Sequence, residues 1–133
     1  MDAGEESEPG TGRRFRDERN VWLATVRANG RPHLVPVWFV FVDDLFWIGT
    51  GRRSVKASNV AAQPSVSVCL EDGNAPVVAE GKARLVPPPY PDAVIAAFAT
   101  KYAWDVTRRD DPDIGELAML RIDVARWLMG GPG

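Results

Sequence analysis

Val21-Trp22-Leu23-Ala24-Thr25-Val26, the turn Asn29-Gly30 and the return run from His33 to Val42 decide the fold. The first run is dense in β-branched and aromatic residues, which suit a pleated, half-buried surface. Asn-Gly between two such runs is a strong hairpin signal, because the tightest hairpin turns need positive φ at both central positions. The return run is apolar on both faces. Such a strand needs cover on both sides, as in a barrel wall that also forms a subunit interface. Pro36 falls in its middle and withholds one ladder donor, which places it at an edge, a bulge or a local opening of the sheet.

Upstream of the hairpin, Arg13 to Arg19 is a charged stretch suited to a helical turn capping a barrel. Residues 1–12 are acidic and rich in Gly, Ser and Pro, the composition of a disordered tail, which leaves residues 13–133 as one domain. Downstream, Asp43-Asp44 makes the next turn and Leu45 to Gly49 a third strand. Arg52 to Gln63 lacks β-branched alternation and predicts a helix of about three turns, stopped by Pro64. Ser65 to Leu70 and Val77 to Val86 read as two strands joined by Glu71-Asp72-Gly73-Asn74. Pro87 to Pro89 break the sheet pattern. Pro91 then suits the first turn of a helix whose Val94, Ile95, Phe98 and Tyr102 form one apolar stripe. A polar loop, Arg108 to Asp113, precedes a last strand, Glu116 to Asp123, which Val124 to Met129 extends or follows with another. The sum is mainly β: a six-stranded antiparallel barrel with few helices.

Composition narrows the function. A chain of 133 residues has room for one core. A net charge of −2 gives no global field that would hold nucleic acid or an anionic membrane. No apolar run is long enough for a membrane span. The amino terminus lacks the basic start and apolar centre of a secretory signal. The single cysteine, Cys69, excludes an intramolecular disulfide and a cysteine zinc cluster, and its apolar setting reads as a buried, inert thiol. Together these features point to the cytosol.

Several catalytic constellations are missing. His33 is the only histidine, which excludes a His-pair metal site, and its place after the hairpin turn suits a solvated residue. No Gly-x-Ser-x-Gly elbow accompanies it. Gly51-Arg52-Arg53-Ser54-Val55-Lys56 does not supply a Walker A loop, and Gly49-Thr50-Gly51 meets only half of the dinucleotide fingerprint. What remains is the junction Thr50-Gly51-Arg52-Arg53-Ser54-Val55-Lys56. A strand ends there and Ser54 stands where a helix could be capped, exposing unpaired N–H groups and a positive dipole end to an anion. Thr50 and Ser54 add hydroxyl donors, and Lys56, Arg52 and Arg53 add charge. A solvated basic helix start is the plainer reading of the same residues. Val35-Pro36-Val37-Trp38-Phe39 offers a second feature: freed backbone groups beside large apolar side chains, suited to a planar heterocycle, or simply barrel core. Trp38 and Phe39 point to opposite faces, so at most one of them lines a given pocket.

In order and spacing, these segments resemble the pyridoxamine-phosphate-oxidase-like split β-barrel superfamily. Leu23-Ala24-Thr25-Val26, Asn29-Gly30-Arg31-Pro32 and Val35-Pro36-Val37-Trp38-Phe39 are similar to its opening. Thr50-Gly51 with Ser54-x-Lys56-x-x-Asn59-Val60, then Pro64-x-Val66-Ser67-Val68, is similar to its next block, and Val78-Ala79-Glu80-Gly81-x-Ala83 to the strand after that. The resemblance implies a homodimer with two interfacial cofactor sites, each built from both subunits, and FMN or the deazaflavin F420 as cofactor. It implies that Ser54 and Lys56 contact the phosphate, within a turn that includes Thr50, Gly51, Arg53 and Val55. The backbone of Pro36, Val37 and Trp38 would face the ring system, while Asn74 and Trp127 would come from the partner subunit. The implied activity is that of an oxidoreductase passing a hydride to a small unsaturated or conjugated acceptor. Arg31, His33 and Lys82 are acid candidates by residue type, and Arg13, Arg14, Arg16 and Arg19 would suit an anionic cofactor tail.

Three other readings stand beside this one. The first is a non-catalytic flavin- or deazaflavin-binding carrier or sensor. The second is oxidation of pyridoxamine phosphate itself, although Trp127-Leu128-Met129-Gly130-Gly131 offers none of the basic charge that binds that substrate's phosphate. The third is a barrel stacking single-stranded nucleic acid on Trp22, Trp38 and Trp47, which the net charge disfavours.

Overall fold

The computed structural model describes residues 10–131; of the tail expected over residues 1–12, residues 1–9 lie outside the described residues and residues 10–12 open a helix instead. A helix, α1 (Gly10–Asp17), leads into the hairpin β1 (Asn20–Val26) and β2 (Pro32–Trp38). Then follow β3 (Val40–Val42), β4 (Leu45–Gly51), α2 (Val55–Ala62), β5 (Ser65–Leu70) and β6 (Val78–Val86). The chain ends with α3 (Asp92–Tyr102), β7 (Asp110–Asp111) and β8 (Gly115–Met129). The strands form one antiparallel sheet in the order β2-β1-β5-β6-β8-β4-β3, with β7 on β8. The sheet curls into a half-barrel, as the sequence predicts, but with eight strands rather than six.

The difference has two sources. The run His33 to Val42 divides at Phe39 into β2 and β3, and the polar loop contributes the two-residue β7. Pro36 does not interrupt β2. It stands opposite Trp22 on a strand at the sheet edge, where no outer neighbour needs its missing N–H. The break falls at Phe39 because α3 serves that backbone instead. The Tyr102 hydroxyl accepts from Phe39 N at 2.9 Å and lies 2.8 Å from Phe39 O, and Lys101 Nζ donates to the same carbonyl at 3.1 Å.

Turn chemistry sets the other corners. Gly30 takes φ +84 in the first hairpin, and Asp43 and Asp44 take φ 55 and 62 between β3 and β4, the paired positive values a two-residue hairpin requires. Helix α2 is shorter than predicted because Arg52 and Arg53 remain in the turn and Ser54 is the N-cap. Pro91 sits at the N-cap of α3 rather than inside it. β8 runs unbroken through Met129, bent by bulges against β6.

Two cores result. Inside the curl, Val21, Leu23, Phe39, Phe46, Ile48, Val68 and Leu120 pack with Phe15, which ties α1 to the barrel by stacking on Phe41 at 4.2 Å. Outside it, Val94, Phe98 and Tyr102 of α3 cover Val40, Trp47, Leu117 and Met119, so β4 and β8 are buried on both faces. Ile95 of the predicted stripe is only partly buried. Cys69 is half-buried rather than buried, on the strand face it shares with Trp22 opposite it on β1. No helix among the described residues is long and apolar enough to cross a membrane.

Candidate functional site

The end of β4 and the start of α2 form one wall of a groove of about 450 Å³. Thr50 closes the strand, buried, and its hydroxyl donates to Ser54 Oγ at 3.2 Å. Ser54 Oγ also accepts from Ala57 N at 3.2 Å, the bond that caps α2. With both of those contacts accepted, the Ser54 O–H is left to donate outward. Lys56, one position into the first turn, lines the groove half-buried, and burial pushes its ammonium below the ordinary lysine value. It has no ion-pair partner among the described residues.

Val37 and Trp38 form the facing wall. Trp38 is 41% exposed and lies flat on Tyr102, with ring centroids 4.4 Å apart and planes 11° apart. Phe39 is fully buried in the inner core, so Trp38 is the member of that pair at the groove. The guanidinium of Arg19 covers the Trp38 and Tyr102 rings at 5.5 and 4.9 Å.

The third wall comes from the segment after α3, which the sequence did not single out. Ala103 takes the left-handed conformation at the helix end and turns the chain back over β4. Trp104 then settles on Gly49, where a β-carbon would lie 2.5 Å from its ring, and Ile114 O settles on Gly51, where one would lie 2.7 Å away. Both glycines are required by close approach. Trp104 Nε1 donates to Asp111 Oδ2 at 3.1 Å, and Asp111 accepts from Asp113 N at 2.8 Å. That backbone bond chiefly holds the Asp111 carboxyl below its usual value, and the Trp104 and Ile114 bonds assist. The signal was present in the sequence as two glycines in one strand, but which ring fills the gap depends on tertiary placement.

The other anticipated residues fall in two groups. Pro36 belongs to the same strand as Val37 and Trp38, while Gly51, Arg53 and Val55 belong to the Thr50–Lys56 turn, Arg53 and Val55 being exposed. Arg52 leans away, pairing with Glu116 at 3.8 Å. Asn74 and Trp127 are elsewhere in this chain. Asn74 sits in an exposed turn whose carbonyls at Asp72 and Ala75 accept from Arg14 of α1, and the Trp127 ring packs among Phe15, Phe41 and Phe46. The α1 arginines are similarly engaged: Arg14 also pairs with Glu18, and Arg16 with Asp17. Among the acid candidates, Arg31 is exposed at the hairpin and Lys82 donates to Ser65 at 2.8 Å, so neither lines the groove. His33 is partly buried rather than solvated.

Fold and groove define an antiparallel split barrel with a groove at its β4–α2 turn. A family model described as pyridoxamine 5'-phosphate oxidase matches residues 12–129, and the chain belongs to that family. Among solved structures, the chain is similar to a heme storage protein, HutZ, from Vibrio cholerae. The identity is 20% over 95% of this chain and 96% of that one, with a TM-score of 0.73. It is also similar to a conserved hypothetical protein, Rv2991, from Mycobacterium tuberculosis, at 28% identity over 96% and 82% of the chains, with a TM-score of 0.68. An F420 reductase aligns at 20% identity over 90% and 96% of the chains, with a TM-score of 0.70. No protein of curated function matches the chain.

Proposed function

We propose that the chain binds a flavin-type cofactor, FMN or F420, through its phosphate at the Thr50–Lys56 turn and uses it as an oxidoreductase. The observation that carries this reading is the donor set. Thr50 orients Ser54, the Ser54 hydroxyl is left to donate, and half-buried Lys56 follows two residues on without a counter-ion among the described residues. A helix start with a hydroxyl and an ammonium suits a phosphate. Val37 and Trp38 continue the same groove and give an apolar surface for a planar ring. The bound cofactor supplies the hydride chemistry; the protein supplies position, charge and exclusion of water. Trp104 and Tyr102 narrow the groove and favour a small, flat unsaturated or conjugated acceptor.

Trp22, Leu34 and Trp38 leave an exposed apolar face on the hairpin, at 41, 61 and 41% exposure. A second copy is the occupant we assign to that face, in a homodimer in which the turn carrying Asn74 and the strand end carrying Trp127 of each chain would border the other's groove. The same family and neighbours suit a carrier or sensor, which one observation favours. The titratable side chains lining the groove are Lys56, Tyr102, Asp111 and Asp113. The Tyr102 hydroxyl is pushed up to about 12, chiefly by burial, and is spent on backbone groups. With Lys56 assigned to the phosphate and Tyr102 to the backbone, neither of these two donors is left for an acceptor. Steady-state reduction of candidate acceptors by the cofactor-loaded protein separates the two: turnover supports the oxidoreductase, and tight binding without turnover supports the carrier.

A further inference from the structure

Beyond the turn itself, His33 on the hairpin feels the charges of Arg27 and Lys56. His33 stands on β2 opposite Thr25 of β1, on the inward-facing side it shares with Val35 and Val37. Asn59 of α2 donates to Thr25 Oγ1 at 3.0 Å and so lays α2 across this point. Lys56 precedes Asn59 by three residues, which puts the two on one helix face. Arg27 follows directly on β1. His33 Nδ1 is buried and has no hydrogen-bond partner among the described residues. Burial, then the charges of Arg27 and Lys56, hold the imidazole below its ordinary value.

No carboxylate among the described residues is a cause of the His33 shift, and three on other strands are paired or bonded elsewhere. Glu80 of β6 pairs with Arg126, Glu116 of β8 with Arg52, and Asp111 across the groove holds Trp104 and its own loop. Among the described residues the charges acting on His33 are both positive, and its Nδ1 bonding position is unfilled.

We propose that His33 is a proton-linked member of this anion site: it takes up one proton from solvent when a phosphate group binds there. The inference rests on the phosphate reading of the Thr50–Lys56 turn and extends the site to a residue on a different element. The physical cause is cancellation. A phosphate dianion offsets the two positive charges that disfavour imidazolium, and the protonated ring carries an N–H on both nitrogens where the neutral ring carries one. By linkage, whatever raises the imidazole's affinity for a proton makes phosphate bind more tightly at lower pH.

The chain holds one histidine, so a single imidazole resonance reports on it. The experiment follows that resonance by NMR from pH 5 to 8.5 in the free protein and with FMN, riboflavin, F420 or inorganic phosphate. Affinity for FMN is measured by absorbance across the same range, in the wild type and in His33→Gln. The free protein is expected to titrate below the ordinary histidine value of about 6.5. FMN should raise the midpoint and riboflavin should not. A midpoint one pH unit higher corresponds to about tenfold tighter binding at low pH. FMN's own phosphate titrates near pH 6, so the part of the pH dependence lost in His33→Gln is the part that belongs to His33. If FMN or F420 binds and the midpoint stays put, the proton-linked role is overturned while the phosphate reading stands. If none of the phosphate compounds binds, both fall.

Discussion

Replacing Tyr102 with Phe isolates the contact that divides β2 from β3. The hydroxyl accepts from Phe39 N at 2.9 Å, and its single proton goes to Phe39 O at 2.8 Å or Arg19 O at 2.7 Å. Phe39 O keeps Lys101 Nζ at 3.1 Å in the variant, so its loss is partial. Phe39 N has no second partner, and residue 39 is fully buried. One orphaned buried donor costs about 1–3 kcal/mol. With a urea dependence of roughly 1–1.5 kcal/mol per molar for a small domain, the unfolding midpoint should fall by about 0.7–3 M. Phe preserves the stack on Trp38, so cofactor affinity should change little. Equilibrium urea unfolding gives the first number, and amide exchange at Phe39 localises it, since that N–H should lose protection selectively. An unchanged midpoint, or a Phe39 amide that exchanges no faster, refutes the claim that α3 rather than Pro36 breaks the strand.

Two further perturbations follow from the same region. Lys101 is held down to about 8, mainly by burial, and Tyr102 up to about 12. Between about 8 and 10.5 the unfolded chain binds more protons at Lys101, so stability should rise with pH; above about 10 the unfolded tyrosine ionises while the folded one does not, so stability should then fall. Urea midpoints from pH 7 to 11 should pass through a maximum on the alkaline side, and Lys101→Met should flatten the rising limb; a rise that persists in Lys101→Met assigns it to another group. Gly49→Ala puts a methyl 2.5 Å from the Trp104 ring. It should cost about 1–3 kcal/mol by overpacking and alter cofactor affinity by displacing a groove wall; thermal unfolding with absorbance titration checks both, and a silent substitution shows that Trp104 moves freely.

The sequence carried the local features because local chemistry sets them. Asn29-Gly30 and Asp43-Asp44 specify their turns by backbone conformation alone, and Ser54 caps α2 through a bond to a residue three positions on. The break at Phe39 was less legible, since its cause is a tyrosine hydroxyl 63 residues away. Trp104 escaped notice for the same reason: nothing local places an aromatic from an irregular segment onto Gly49. His33 looked solvated because it follows a turn, yet its inward register and the passage of α2 bury its ring nitrogen.

The most direct test of the phosphate clamp is absorbance titration of the purified protein with FMN and with F420, repeated for Lys56→Ala. Saturable micromolar binding of at least one of them is expected. Removing the ammonium should weaken it roughly ten- to a hundredfold, the range of one charge-assisted bond. Failure of both to bind, or an affinity that Lys56→Ala leaves unchanged, contradicts the phosphate clamp.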